Sequence, residues 1–447
     1  MSGPPTWQLA TAVYVPLLTG NLSVIGSGLI IYSMLVHGRR TKLRKPHHRI
    51  LLAMSIYDLF YSLVKAFTFL LTPAEGQPGS MGVPGAMGNM ATCRLQGFFI
   101  ETAHATGAYN SLLSSYFWLS ICRGVKNDTF TKYEPIAHIL IFVVFVGFAI
   151  AGVVIELFNP AFGFCFIASY PPGCESGPGA PVCERWPPRT MGLMYEIFAQ
   201  MWVQAYIVIV LVTNAAIWYK VHSQEKVIRS INQRVLSNTM EAGLAQKKKE
   251  ASRERMVAVQ STLYVTAFIA CWSGPTAFHL ADWIAGFKSF WAVLVIVIFT
   301  PLQGFFNAFV FARPTYIRLR RANPELGRLQ TVKMIFFTPD PMTAVKLSAV
   351  SSRSPFSFAD MPSIRPTNRL VDDDSFVEDG DAANGDLSAP DSIAVEDKND
   401  EYENEDTPLG TTAKKLFSKN ANHLVTSTET LFRSFLSDLT VYLSFLS

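Results

Sequence analysis

Seven long apolar stretches fall within the first 313 residues, and the basic residues collect in alternate gaps between them. A run of about 18 apolar residues or more reads as a bilayer-crossing helix. Roughly 20 residues, at about 1.5 Å rise each, span the hydrocarbon core and satisfy their own backbone hydrogen bonds on the way. The predicted spans are 10–36, 50–72, 95–121, 136–158, 190–219, 258–284 and 289–312. Seven such segments in order argue for an all-α membrane protein, a seven-transmembrane-helix bundle, over a soluble protein with buried helices.

Charge orients the bundle. Gap 37–49 holds six Lys/Arg, gap 122–135 three, gap 220–257 nine and segment 313–334 six. Residues 1–9 and gap 73–93 hold none, gap 159–189 holds Arg185 and Arg189, and the last short gap holds Lys288. The positive-inside rule then gives a short extracellular N-terminus (1–9), a span domain over 10–320 and a cytoplasmic C-terminus. The first run has no cleavage site after a short apolar core, so it reads as an uncleaved span. The basic loops suit anionic headgroups, which makes membrane lipids an expected partner. No basic patch is interleaved with aromatics, so nucleic acid is not expected as one.

Of six cysteines, Cys122 lies at the inner end of span three and Cys271 inside span six. Cys93, Cys165, Cys174 and Cys183 lie on the outer side, where two disulfides are expected. Three pairings are open. The favoured one joins Cys93 to Cys165, tying span three to the second outer loop, and Cys174 to Cys183.

Polar groups in hydrocarbon are costly and face partners or a cavity. Asp58 in span two, Asn110 and Ser114 in span three, and Gln303 and Asn307 in span seven read either as a hydrated core that rearranges or as static inter-helix hydrogen bonding. Nearer the outer face stand Lys65, Glu101, His104, Glu196, His279 and Asp282. Glu101 and His104 share a helix face at i, i+3, as do His279 and Asp282. Glu101, His104, Glu196, His279 and Asp282 form the candidate ligand set, suited to a polar or zwitterionic small molecule. Pro275 and Pro301 are expected to kink spans six and seven, with Trp272 as a lever beside the first kink. Pro314 is expected to stop span seven, leaving IRLRRANPELGRL as a short interfacial helix. No metal-ligand spacing, cofactor motif or nucleophile–base pair stands out, so neither metal, cofactor nor catalysis is expected.

Gap 220–257 reads as helical extensions of spans five and six that offer a surface to a partner protein. Residues 321–426 read as a largely disordered cytoplasmic tail; within 359–406 there are sixteen Asp/Glu against three Lys/Arg. Segment 427–447 reads as a membrane-surface amphipathic helix.

Several strings carry a likeness. The seven spans, Leu52-Ala-Met-Ser55-Ile-Tyr-Asp58-Leu59, the cysteine opening span three, the Cys271-Trp272 to Pro275 region and the proline of span seven resemble a G-protein-coupled receptor. Cys93-Arg-Leu-Gln96-Gly97-Phe98-Phe99, Tyr109-Asn110-Ser-Leu-Leu-Ser114 and Pro301-Leu302-Gln303-Gly304-Phe305-Phe306-Asn307 look closest to the slime-mould cyclic-AMP-receptor type and related protist receptors. The resemblance covers about 10–320. It implies an extracellular small-molecule ligand, a heterotrimeric G protein as partner, Arg123 at the partner face, and Asp58, Asn110, Trp272, Pro275, Pro301 and Asn307 as switch or core residues. Departures are local. Ile121-Cys122-Arg123-Gly124 lacks an acidic neighbour for the arginine, Thr300 stands where an asparagine precedes the proline, and Phe311 stands near where a tyrosine belongs. A seven-helix transporter of a small polar solute is the alternative, but no convincing repeat links spans 1–3 to 5–7. A light-sensing protein with a Schiff base needs a lysine in span seven, and 289–312 has none.

Overall fold

The computed structural model describes residues 6–37, 42–161, 163–171, 174, 179, 181–185, 189–234, 241–285, 289–339 and 343. They fall in the first of two units, Met1–Ala359. The second unit, Asp360–Ser447, with most of the acidic stretch and the 427–447 segment, lies outside the described residues.

The fold is helical throughout the bundle. Span one is α1 (Thr6–Tyr32) with a π-helical turn, Ser33–His37. Span two lies in α2 (Pro46–Ala66), whose first turn, with His47 and His48, precedes the apolar stretch; the one-turn α3 (Thr68–Leu71) follows. Span three is α4 (Met90–Thr102) and α5 (His104–Cys122); span four is α6 (Asn127–Val154). Spans five and six are the long α7 (Arg189–Arg234) and α8 (Glu241–Ala285). Span seven is α9 (Phe290–Phe299), a 3-10 turn at Thr300–Leu302 and α10 (Gln303–Ala322), with α11 (Arg328–Phe337) after it. Helices in spans one, four, five, six and seven are long and apolar enough to cross a membrane by length and composition. Spans two and three are the polar ones: they carry Asp58, Lys65, Glu101, His104 and Asn110, all buried. α5 packs against α2, α6, α7 and α8, while α1 packs against α2 and α10.

Small residues let α1 and α10 approach closely. A Cβ on Gly26 of α1 would lie 2.7 Å from the carbonyl oxygen of Gly304 in α10. Ser23 of α1 fills the remaining space; its hydroxyl accepts from the Gly304 amide at 2.9 Å and from the Ser62 hydroxyl at 2.8 Å.

Three expectations need correction. Span three is not one continuous helix. It breaks at Ala103, whose amide reaches back only to Ile100 at 3.2 Å, while the Thr102 and Thr106 hydroxyls bond the carbonyls of Phe99 and Ala103. Side-chain hydroxyls here compete for carbonyls that the helix ladder would use. Pro314 does not stop span seven: α10 runs through it to Ala322. The helix face with Phe311, Ala312, Tyr316 and Leu319 packs on Ile335 and Phe336 of α11, and that burial outweighs the one lost backbone bond. The helix expected from Ile317 onward is therefore the tail of α10, and the separate helix is α11. Finally, the loop between spans four and five, read only as loop, contains a hairpin of β1 (Phe158–Ala161) and β2 (Phe164–Ile167), antiparallel with Phe158 opposite Ile167.

Candidate functional site

The hairpin roofs one end of the bundle. Cys93 at the start of α4 is disulfide-bonded to Cys165 in β2, with Cα atoms 5.3 Å apart, and Cys174 is bonded to Cys183. Asn89 caps α4 by accepting from the amides of Ala91 and Thr92, so the helix start that carries Cys93 is well defined. Gln96, one turn on and fully buried, ties three elements. Its amide group donates to Val64 O at 2.9 Å and to the Thr68 hydroxyl at 2.7 Å, and its oxygen accepts from the Cys165 amide at 2.8 Å. Phe158 packs against Gly97, where a Cβ would come within 2.5 Å of the Phe158 Cβ and Cγ. Lys65, 4% exposed, sits under β2 with its ammonium 3.5 Å from the Phe164 ring centroid and 6.0 Å from that of Tyr61.

Below the roof a buried polar chain crosses the bundle. Glu101 and His104 flank the break in span three; His104 Nδ1 lies 3.5 Å from the Glu101 carboxylate and donates to the Glu101 carbonyl at 2.9 Å. A carbonyl can only accept, so Nδ1 carries the proton. The imidazole packs on Trp272 at a centroid distance of 5.5 Å. The Trp272 indole N–H donates to Gln303 Oε1 at 2.7 Å, at the first residue of α10, directly after the 3-10 turn of span seven. One layer further, Asn307 donates to Asp58 at 2.9 Å. Glu101 Oε2, Gln303 Nε2 and Asn307 Oδ1 are buried without a hydrogen-bond partner among the described residues.

Of the candidate ligand set, Glu101 and His104 are brought together. His279 has its ring edge-on to Phe278. The side chains of Glu196 and Asp282 lie outside the described residues. In the core set, Asp58 and Asn307 meet, but Asn110 donates to Thr106 O within its own helix and Ser114 pairs with Thr213 of α7 at 2.6 Å. Asn110 and Ser114 instead line a narrow crevice between α5 and α8, together with Ser261 and Tyr264. Pro275 lies within the unbroken α8, and Pro301 is the middle residue of the 3-10 turn.

The opposite end carries the basic segments. α7 and α8 extend side by side beyond the apolar core, joined by Arg255 to Glu225 at 3.4 Å and by the Trp218 indole to the Thr262 hydroxyl at 2.6 Å. Arg123, exposed at the end of α5, lies 5.8 Å over Trp118 and makes no ion pair among the described residues. Arg49 forms a bidentate pair with the buried Glu134 of α6, and His138 and Tyr109 continue the network at 3.4 and 3.0 Å. His47 and His48, just before the apolar part of α2, contact Tyr116, Phe117 and Phe311. Burial, then neighbouring cationic groups, holds His47 well below the usual imidazole value, and burial lowers His48 to about 4. Both rings therefore stay neutral in the fold while the unfolded chain takes up protons below about pH 6.5. Stability is fully present above that pH and falls as pH drops toward 4. Thermal melts across this window check it, and a His47→Asn, His48→Asn variant is expected to flatten the slope.

No family model matches the chain, and no curated protein matches it in sequence. Among solved structures, the crystal structure of squid rhodopsin is similar, with a TM-score of 0.53 over 81% of this chain and 95% of that one, at 15% identity. The fold is a rhodopsin-like seven-helix bundle. The likeness is one of fold, and residue roles are carried by the geometry above. Two residues in this rhodopsin-like bundle escaped assignment from sequence. Gln96 is a polar residue in the Cys93–Phe99 run, and its three partners come from separate elements that sequence does not bring together. Arg49 looked like one more solvated base in a basic loop.

Proposed function

We propose that this chain is a plasma-membrane receptor of the G-protein-coupled kind, with the hairpin end outside and the basic end facing the cytoplasm. The observation that carries the reading is the chain Glu101–His104–Trp272–Gln303. It joins the break in span three to the Trp–Pro segment of span six and the start of α10 in span seven. A small molecule held under the hairpin by Glu101 and His104, with Glu196, His279 and Asp282 as further candidates, bears on Trp272 and favours one of two packings of spans six and seven. The α7–α8 extension and Arg123 then present a surface to a heterotrimeric G protein, and affinities at the two ends are reciprocally coupled. The strings around Gln96, Asn110 and Gln303 support a place beside the slime-mould cyclic-AMP-receptor type, without that ligand.

A ligand-library screen reading nucleotide exchange on purified G proteins tests the proposal. Ligand-driven exchange is expected to fall at least about tenfold in Trp272→Ala and in Glu101→Gln at equal surface expression. Unchanged responses in both variants would remove the polar chain from the mechanism. Labelled-solute flux in proteoliposomes would favour the transporter instead.

A further inference from the structure

We propose that Lys65 is the subsite for an anionic group, a carboxylate or phosphate ester, on a small molecule with an apolar or aromatic body. This rests on reading the hairpin end as the ligand site and names the chemistry that site selects. Lys65 lies in the last turn of α2 and is 4% exposed. Among the described residues its ammonium has no carboxylate partner and no hydrogen-bond acceptor; its contacts are the ring faces of Phe164 and Tyr61. A buried ammonium without a counter-charge is costly, and a ring face compensates only part of that cost. An anion completes the site. The adjacent wall is built from Tyr61, Val64, Ile100 and Ala103, with Phe99 and Phe166 packed on it, so the body of the ligand is apolar.

Phe164 stands where the anion would sit. It belongs to β2, next to Cys165, and that backbone is held by the disulfide to Cys93 and by Gln96. An arriving anion takes the place of the ring on the ammonium, so charge recognition and hairpin position are coupled.

The test uses the purified full chain in lipid nanodiscs, with phenylacetate and phenyl phosphate as probes and phenylacetamide as the uncharged control. At least one anion is expected to raise the melting temperature and the amide to leave it unchanged; whichever anion acts distinguishes a carboxylate from a phosphate site. In Lys65→Met the apparent dissociation constant for that anion should rise at least about tenfold, while Lys65→Arg retains binding. Ligand-free Lys65→Met should melt no lower than the parent, since an unpaired buried charge has been removed. The proposal is overturned by equal shifts from the amide, by no shift from either anion, by binding retained in Lys65→Met, or by a ligand-free Lys65→Met that melts well below the parent. The readout needs no G protein. An anion shift with silent nucleotide exchange sinks the receptor reading alone, and an exchange-competent receptor blind to both anions sinks this one alone.

Discussion

Arg49→Ala is expected to destabilise the folded chain by about 3–5 kcal/mol, because it leaves a buried carboxylate with only its long His138 contact, at 3.4 Å. Glu134 is 3% exposed, and both of its oxygens face the Arg49 guanidinium. That guanidinium also donates to Leu43 O at 2.8 Å, Arg44 O at 3.1 Å and the Thr131 hydroxyl at 3.3 Å, so one side chain fastens the first basic loop to α2 and α6. Glu134→Ala should cost less, since Arg49 is 29% exposed and can rehydrate. The double variant should lose clearly less than the sum of the two, a coupling that only a contacting pair shows. Denaturation of the three variants in bicelles measures it. An Arg49→Ala protein within about 1 kcal/mol of the parent would mean the pair is an ordinary surface contact.

Cys165→Ser is the second large effect, a loss of about 2–5 kcal/mol. The Cys93–Cys165 bond closes a separation of 72 residues, whereas Cys174–Cys183 closes 9. Because chain entropy scales with the logarithm of loop length, Cys174→Ser should cost roughly 2 kcal/mol less than Cys165→Ser. Cys165→Ser should also free β2, loosen Phe164 from Lys65 and blunt any ligand response. Melting temperatures with and without reductant, alongside nucleotide exchange, separate the two losses. Equal destabilisation by both serine variants would show that the hairpin is not held mainly by its longer staple.

Much of the site was legible in residue type. A carboxylate at 58, an asparagine at 307 and a histidine one turn from Glu101 stand out in apolar runs, since burying them demands a partner. The Asp58–Asn307 bond and the Glu101–His104 contact follow that logic. Ser114 looked equivalent to Asn307, yet it turns to Thr213 because α5 presents that face to α7. Which face meets which helix is a property of packing, and hydropathy reports only that a face is buried.

The chain's apolar runs and the sign of its gaps are enough to determine seven spans and two unlike ends, because hydrocarbon forces every backbone bond to close within a helix. The break at Ala103, the passage of α10 through Pro314, the Arg49–Glu134 pair across 85 positions and the placement of Phe164 on Lys65 were decided only in three dimensions. Each depends on a neighbour far away in sequence whose contact outweighs the local preference. Local pattern records what a segment can do alone, and packing settles what it does beside the others.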